Sequence, residues 1–316
     1  MTVDHVPTLP SSYLSGIRQL LGAEADRWVT ALPAHIGGAL RRWRLKVDGP
    51  ASHGVGAVVL PVRLPDGGAA ALKVGLMDTE SRPEAVALRA WEGRGVVLLI
   101  DADLELDPHP EAGVGALLLE RLTPDRSLHD VDEDTAATTL GSVLARLAVP
   151  AGPAADGLPR LEDLARRWAD ELPAGWERLG RPCPRRVVDA AVATCRELGR
   201  DHAPVLVHGD LHHGNVLAAQ RDEWLAIDPK GMVGEAAFDV LPFLRNRWTE
   251  LTATTDTRRA LARRLDLVVE AAGLDRDRAR RWAQARAVDD LLWCAEHGSS
   301  PGVSVEVAGA LAEWLT

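Results

Sequence analysis

Apolar residues recur at three- and four-residue spacing near the start of the chain, which predicts helices over Ser11–Leu21 and Glu24–Leu32. A third helix is expected over Pro33–Trp43, with the proline at its first position. The pattern then changes to short runs rich in Val, Leu and Ala. These runs predict two antiparallel strands, Val55–Leu64 and Ala69–Val74, separated by a turn rich in glycine.

One more helix and two more strands complete the predicted N-terminal region. Helical spacing resumes over Glu80–Trp91, and strand-like runs follow at Val96–Ile100 and Gly115–Glu120. Residues 44–120 are therefore expected to form a small sheet with one inserted helix. Beyond Leu122, helices are predicted at Asp132–Leu147, Leu158–Arg178, Pro184–Arg200, Thr257–Ala271, Arg276–His297 and Val303–Leu315. A short β-rich island interrupts them at Val205–His208, Asn215–Ala219 and Trp224–Ile227.

Charge and cysteine content narrow the classes of partner. The 316 residues include 36 Lys and Arg against 46 Asp and Glu, a formal net charge of −10. This balance argues against nucleic-acid or anionic-membrane binding and suits a cationic ligand, although solubility alone explains it equally well. No apolar run approaches the ~18 residues of a membrane span. Cys183, Cys195 and Cys294 are too widely spaced to indicate a disulfide scaffold or a thiolate zinc site, so a reducing, cytoplasmic setting is expected.

Candidate chemistry concentrates in the β-rich island. The chain reads HGDLHHGNVL from His208 to Leu217 and WLAIDPKG from Trp224 to Gly231. Asp210 and Asn215 reproduce the H-x-D-L-x-x-x-N spacing of a kinase catalytic loop, and Asp228 ends the next hairpin. Phosphoryl transfer to a hydroxyl needs a carboxylate to accept the proton, and an amide and a second carboxylate to hold Mg²⁺. We therefore expect these three side chains to face a shared cleft.

With these motifs the chain resembles the aminoglycoside phosphotransferases, in particular their streptomycin and hydroxyurea kinase branch. Weaker support comes from ALKV at Ala71–Val74, LLLERL at Leu117–Leu122 and the pair Phe238-Asp239. The resemblance implies an α+β, two-lobed protein-kinase-like fold, with a small antiparallel-sheet N-lobe and a mainly helical C-lobe. Residues 1–122 would form the nucleotide-binding lobe with its leading helices. Residues 123–316 would form the lobe that carries the catalytic loop and the substrate site.

The resemblance also implies roles within the β-rich island. Asp210 would be the catalytic base, and Asn215 and Asp228 would bind Mg²⁺. The third residue of the metal loop is Lys230, so this loop reads Asp-Pro-Lys where a protein kinase has Asp-Phe-Gly. That reading is common in this branch and is consistent with activity.

Nucleotide contacts are assigned to the N-terminal lobe in the same way. Lys73 would contact the α- and β-phosphates of ATP or GTP, and an acid on the inserted helix would hold it. Glu84 is the expected acid, and Glu80, one turn earlier on the same face, is the alternative. The remaining contacts would come from the backbone of Glu120 and Leu122, at the hinge, and from Gly54 and Gly56 in an incomplete glycine-rich loop.

Other interpretations of the same residues stay open. His208, His212 and His213 could belong to a metallohydrolase site. The Gly-Asn-His triplet typical of such a site is missing, so structural roles in the core or in the loop are favoured for these histidines. Asp210, Asn215 and Asp228 taken singly could be turn residues that cap strands. A nucleotide-binding regulator without catalysis is a further alternative. The intact lysine, aspartates and asparagine argue against it.

The acceptor is expected to be a small cationic antibiotic. Streptomycin, phosphorylated at its 6-hydroxyl, is the first candidate by resemblance, and hydroxyurea, an amino sugar or another metabolite are alternatives. Carboxylates of the C-terminal lobe would bind the cation, although surface acids of this kind are more often simply solvated. The candidate carboxylates are Asp239, Asp289, Asp290 and Glu296. Asp239 has a second interpretation, as a brace for the catalytic loop, and Trp293 and Trp248 are expected in the core.

Overall fold

The computed structural model describes residues 9–77, 82–107, 113–299 and 303–316. The chain divides into two units: one extends to Gly93 and includes Val97–Thr123, and the other comprises Arg94–Val96 and Pro124–Thr316. A first unit built around an antiparallel sheet precedes a mostly helical second unit, so the predicted fold class, an antiparallel N-terminal sheet followed by a helical region, is confirmed. The functions assigned to the two lobes stay predictions.

The first unit is built on an antiparallel sheet. Its strands are β1 (Lys46–Val47), β2 (Ser52–His53), β3 (Ala57–Arg63), β4 (Ala69–Met77), β5 (Leu99–Asp107) and β6 (Gly113–Glu120). They follow the order β1-β3-β4-β6-β5, and β2 pairs with β3. The strand predicted over Val96–Ile100 in fact starts at Leu99, because Val96 pairs with Ala226 instead. The central strand β4 therefore has β3 on one side and β6 on the other.

Two leading helices cover one face of this sheet. The helices of the first unit are α1 (Ser11–Leu21), α2 (Ala25–Arg42) and α3 (Arg82–Trp91). Trp28, Leu32, Ile36 and Leu40 of α2 belong to one buried cluster with alternate residues of β3, β4 and β6. The prediction that Pro33 opens a separate helix is wrong, since α2 continues through it. Burial of this apolar face outweighs the one backbone hydrogen bond that a proline removes.

The second unit combines two small sheets with helices. Its strands are β7 (Thr123–Ser127), β8 (Val205–Val207), β9 (Val216–Ala218), β10 (Trp224–Ala226) and β11 (Met232–Gly234). They form the sheets β10-β9-β7 and β11-β8. The helices are α4 (Glu133–Leu147), α5 (Leu161–Arg178), α6 (Arg185–Leu198), α7 (Val240–Arg245), α8 (Trp248–Thr252), α9 (Thr257–Ala272), α10 (Arg276–His297) and α11 (Val305–Trp314).

The long helices of the second unit follow the apolar spacing closely, and the short elements do not. β7, β11, α7 and α8 were not predicted, because runs of three to six residues are too short to show a period. Within the part of the chain that the structure describes, no helix has both the length and the apolarity needed to cross a bilayer.

Candidate active site

Lys73 and Glu84 form an ion pair in the first unit. Alternation along β4 places Leu72 and Val74 in the cluster beneath α2, so Lys73 lies on the opposite face of the sheet. There its Nζ donates to both carboxylate oxygens of Glu84, at 2.8 and 2.7 Å. The two side chains are only 16% and 5% exposed. The alternative partner, Glu80, lies outside the described residues.

Burial explains why Lys73 needs this partner. An ammonium group removed from water is strongly destabilising unless a carboxylate compensates it. Glu84 lies in the first turn of α3, where the helix dipole favours a negative charge. The pair therefore fixes the position of the lysine, as a phosphate-binding role would require, and the role itself stays a prediction.

The other residues assigned to the nucleotide lie at the two ends of β4. Glu120 pairs with Ala70 at one end, and its Oε2 accepts a hydrogen bond from Leu98 N at 3.0 Å. Leu122 lies two residues further on and is partly buried. Towards the other end, Gly54 and Gly56 lie in the turn between β2 and β3, where Gly56 O accepts from Leu76 N. Lys73 is thus between these two segments along the strand.

In the second unit, β8 leads directly into the loop that carries Asp210. Val207 pairs with Met232, which brings the segment after β8 beside the segment before β11. His208 O accepts from the backbone N–H groups of Lys230 and Gly231, at 2.8 and 3.2 Å. Gly209 has a φ of +86°, and a Cβ there would lie 3.0 Å from Lys230 Cβ. A glycine is therefore required where these two segments cross.

Asp239 supports the backbone of this loop. It is fully buried, and its carboxylate accepts from His208 N at 2.7 Å and from Gly209 N at 2.6 Å. Burial raises the pKa of this carboxyl, while His208, Arg286 and the two N–H donors act in the opposite direction. Arg286 donates to Gly209 O and Phe238 O, both at 2.9 Å. This placement suits the bracing role rather than contact with a substrate.

The hydrogen bonds of His208 define a neutral imidazole. Its Nδ1 is 3.2 Å from Asp210 N, which can only donate, so Nδ1 is the acceptor and Nε2 carries the proton. Nε2 then donates to Ile227 O at 2.9 Å. Burial lowers the pKa of His208, which agrees with a neutral ring. The ring joins the loop to the end of the β9–β10 hairpin.

That hairpin brings Asn215 and Asp228 together. Val216 pairs with Ala226, and Ile227 N donates to Asn215 O at 2.9 Å, so Asp228 follows the residue that bonds to Asn215. Asn215 is buried, and its Nδ2 donates to Asp210 O at 2.9 Å. Asp228 is exposed and has a φ of +59°, a backbone conformation that is uncommon for aspartate and found at functional sites.

The donor atoms of these two residues fit a magnesium ion. The amide nitrogen of Asn215 is bonded to the loop, so the amide oxygen is the atom of this side chain that suits a metal ion, and Asp228 adds a carboxylate. Such hard oxygen ligands are what Mg²⁺ prefers. Within the described ranges, no three His, Cys, Asp or Glu side chains form a group that could hold a metal ion.

The two remaining histidines of the motif pack within the unit. His212 Nδ1 accepts from Gly214 N at 3.1 Å, and burial lowers the pKa of His212 to about 4. Its Nε2 lies 3.9 Å from Asp210 Oδ2. His213 is fully buried and stacks on Phe243, with ring centroids 4.3 Å apart. Both positions suit the structural roles favoured for them.

Arg245, at the end of α7, contacts the predicted base and was missed by the sequence analysis. Its guanidinium is 3.5 Å from Asp210 Oδ1 and 2.7 Å from Asp290 Oδ2. Asp290 was expected to bind substrate, and here its carboxylate binds this arginine. No motif marks Arg245, since it is 35 residues from Asp210 and follows an apolar stretch.

The other candidate substrate acids lie in different surroundings. Burial, followed by the charge of Asp290, raises the pKa of Asp289 to about 7. Glu296 forms a bidentate ion pair with Arg178, in which Nη1 and Nη2 donate to Oε1 and Oε2 at 2.7 and 3.0 Å. Both side chains of this pair are exposed. The prediction that Trp293 lies in the core is wrong, because the side chain is 47% exposed and stacks on His297. Trp248 is only partly buried and stacks on Trp314.

Comparisons with known proteins agree with the fold and the motifs. Residues 42–298 match the family model of the aminoglycoside/hydroxyurea antibiotic resistance kinases. The chain is 38% identical over 301 residues to a streptomycin 6-kinase of Streptomyces glaucescens, covering 95% of each chain. It is 39% identical over 292 residues to a hydroxyurea phosphotransferase of Kitasatospora aureofaciens, covering 92% of this chain and 81% of the relative.

A solved structure shows the same fold at low identity. An aminoglycoside phosphotransferase crystallised with ADP and hygromycin B aligns with a TM-score of 0.56 and 14% identity, over 88% of this chain and 96% of the other. The family match, rather than this likeness, decides between the open interpretations: it favours a kinase over a metallohydrolase or a non-catalytic regulator. The chain belongs to the aminoglycoside/hydroxyurea antibiotic resistance kinases and is a phosphotransferase.

Proposed function

We propose that this kinase transfers the γ-phosphoryl group of ATP or GTP to a hydroxyl of a small cationic antibiotic, and that streptomycin, at its 6-hydroxyl, is the first acceptor to test. The observation that supports it best is the arrangement of the catalytic loop, in which Asn215 is bonded to Asp210 and the hairpin places Asp228 next to Asn215. A streptomycin 6-kinase 38% identical over 95% of the chain supports the choice of acceptor.

The residues of the second unit would carry the chemistry. The Asp210 carboxylate would orient the acceptor hydroxyl and take its proton as the oxygen attacks the γ-phosphorus. Asn215 and Asp228 would hold Mg²⁺, which when bound supplies neutralisation of the phosphate charge. Catalysis of this kind depends on positioning and charge rather than on a covalent intermediate. The bracing of the loop by Asp239 and Arg286 therefore contributes directly to the rate.

The residues of the first unit would bind the nucleotide. Lys73 would donate to the α- and β-phosphates, in an orientation that Glu84 fixes. The backbone of Glu120 and Leu122 would bind the base, and the turn at Gly54 and Gly56 would approach the phosphates. A net charge of −10 suits a cationic acceptor, and Asp289 stays a candidate acid for one, with a carboxyl whose pKa burial raises to about 7.

Hydroxyurea is the second candidate acceptor, since a hydroxyurea phosphotransferase is as similar to the chain as the streptomycin kinase is. The two acceptors differ in charge and size. A cationic acceptor would use the acids of α10, whereas hydroxyurea is neutral and would not need them. An amino sugar or another metabolite would lie between streptomycin and hydroxyurea in charge and size.

An acceptor panel tests the proposal. Purified protein is incubated with ATP or GTP, Mg²⁺ and streptomycin, other aminoglycosides or hydroxyurea, and nucleoside diphosphate release is measured against an Asp210→Asn background. We expect turnover with streptomycin, and NMR of the product should place the new phosphate on the 6-hydroxyl. Turnover with hydroxyurea alone would overturn the acceptor. Turnover that Asp210→Asn leaves intact would overturn the site.

A further inference from the structure

Arg245 stands between two carboxylates of the second unit. Its Nη1 is 2.7 Å from Asp290 Oδ2, and its Nη2 is 3.5 Å from Asp210 Oδ1. The three side chains are 17%, 25% and 26% exposed, so water screens them only in part. A single guanidinium thus links the predicted base to a helix 80 residues further along the chain.

Arg245 lies closer to Asp290 than to Asp210, and this difference indicates what each contact does. A contact of 2.7 Å to a carboxylate is a strong, charge-assisted hydrogen bond, whereas 3.5 Å is at the outer limit of one. Asp290 therefore holds Arg245 in place, and Arg245 in turn influences only the orientation of the Asp210 carboxylate. The second oxygen, Oδ2, is 3.9 Å from His212 Nε2, which is too long for a hydrogen bond. Among the described residues, Asp210 is oriented on one side and neither of its oxygens has a short contact, which suits a carboxylate that must accept a proton.

The loop backbone is supported by other residues. Asp239 binds the N–H groups of His208 and Gly209, and Arg286 binds the carbonyl of Gly209. The hydrogen bonds found for Arg245 go to carboxylate side chains instead. Its loss should therefore leave the loop folded and change the orientation and surroundings of the Asp210 carboxylate.

We propose that Arg245 is a positioning residue for Asp210, and that Asp290 acts through Arg245 by holding its guanidinium. This inference rests on the proposed function, in which Asp210 is the base. It assigns Asp290 to the orientation of the base rather than to the binding of the acceptor. Asp289, next to it in sequence, stays a candidate for acceptor binding.

A double-mutant cycle tests the inference. Arg245→Met, Asp290→Asn and the double variant are compared in steady-state kinetics, with Arg281→Met as the matched control. Arg281 is on the same helix as Asp290 and also pairs with a carboxylate, that of Glu197 at 2.6 Å. We expect kcat to fall roughly 10- to 100-fold in Arg245→Met and less in Asp290→Asn, with the KM of both substrates within about threefold of wild type. The control should keep the wild-type kcat.

Non-additivity is the decisive result. If Asp290 acts through Arg245, the double variant is no slower than Arg245→Met, because the residue that Asp290 holds is already gone. Two further readouts separate positioning from folding. Arg245→Lys should recover part of the lost kcat, and added methylguanidinium should raise the kcat of Arg245→Ala in a saturable manner.

Several outcomes would overturn the inference. They are a wild-type kcat in Arg245→Met, losses that multiply in the double variant, a defect in acceptor KM alone, and no recovery with either lysine or methylguanidinium. An Asp210→Asn variant run in parallel keeps the two proposals distinguishable. If that variant is inactive while Arg245→Met is normal, only the present inference fails. If Asp210→Asn keeps its turnover, the proposed function fails first.

Discussion

The two units hold their predicted functional charges in different ways. In the first unit, Lys73 and Glu84 form one direct pair between β4 and α3, eleven residues apart in sequence. In the second, Asp210 belongs to a set of charges that spans residues 210 to 290 and includes two arginines and three aspartates. The first arrangement holds one side chain in place, whereas the second positions a backbone loop and a side chain separately.

Because of this difference, some residues should mainly affect the stability of the fold and others mainly the orientation of a functional side chain. Asp239 and Arg286 act on the backbone of the loop, and their loss should unfold or distort it. Arg245 and Asp290 act on a side chain, and their loss should mainly affect the rate. The Lys73–Glu84 pair combines both effects, because each buried charge stabilises the other and the lysine must also be placed.

Removal of the charge of Asp239 should have the largest effect. In Asp239→Asn, an amide that can accept through only one oxygen replaces a carboxylate that accepts from two N–H groups, and Arg286 loses a nearby anion. We expect the free energy of unfolding to fall by about 3–5 kcal/mol in urea denaturation. Asp266→Asn, which breaks an exposed pair with Arg276, is the control and should stay close to wild type. Equal, small losses in both variants would contradict the bracing role.

The pair of the first unit should give the next largest effect. Lys73→Met removes a phosphate donor and leaves Glu84 buried without its partner, so kcat/KM should fall roughly 100- to 1,000-fold. Glu84→Gln should show a smaller loss, and the double variant should be no worse than Lys73→Met. Arg63→Met, which breaks a half-exposed pair with Asp48, is the control in the same unit. A normal nucleotide KM and kcat in Lys73→Met would rule out the phosphate role.

A smaller effect, which depends on pH, is expected at Asp289. Burial raises its pKa from an ordinary value of 3.8 to about 7, so the folded protein binds this proton more tightly than the unfolded chain does. The free energy of unfolding of the wild-type protein therefore falls as pH rises from about 4 to about 7. Asp289→Asn should match wild type near pH 4 and exceed it by about 1–3 kcal/mol at pH 8. Urea titrations at both pH values measure this, and a difference that does not vary with pH would disprove the shift.

Motifs and local spacing together were sufficient for one part of this architecture. The family resemblance implied that an acid on the inserted helix holds Lys73, and helical spacing favoured Glu84 over Glu80. The spacing of Asp210 and Asn215 and the hairpin that follows led to their proximity to Asp228. In each case the geometry is set by a few residues of regular secondary structure.

Tertiary packing sets the rest, and no local signal reveals it. Arg245 is one of 36 basic residues, and only the packing of α7 against α10 brings it to Asp290. Asp289 and Asp290 are neighbours in sequence, yet one pairs with an arginine and the other has a raised pKa. The exposure of Trp293 has the same origin, since it depends on which side of α10 the neighbouring helices cover.

The turnover of Asp210→Asn tests the central claim most directly. Its steady-state kcat with the best acceptor of the panel is compared with wild type, and nucleotide affinity is measured in parallel by calorimetry. A base that accepts the hydroxyl proton is worth about 10²- to 10⁴-fold, so kcat should fall by that factor while nucleotide affinity stays within about twofold. A kcat near that of wild type in a folded, nucleotide-binding Asp210→Asn protein would contradict the account.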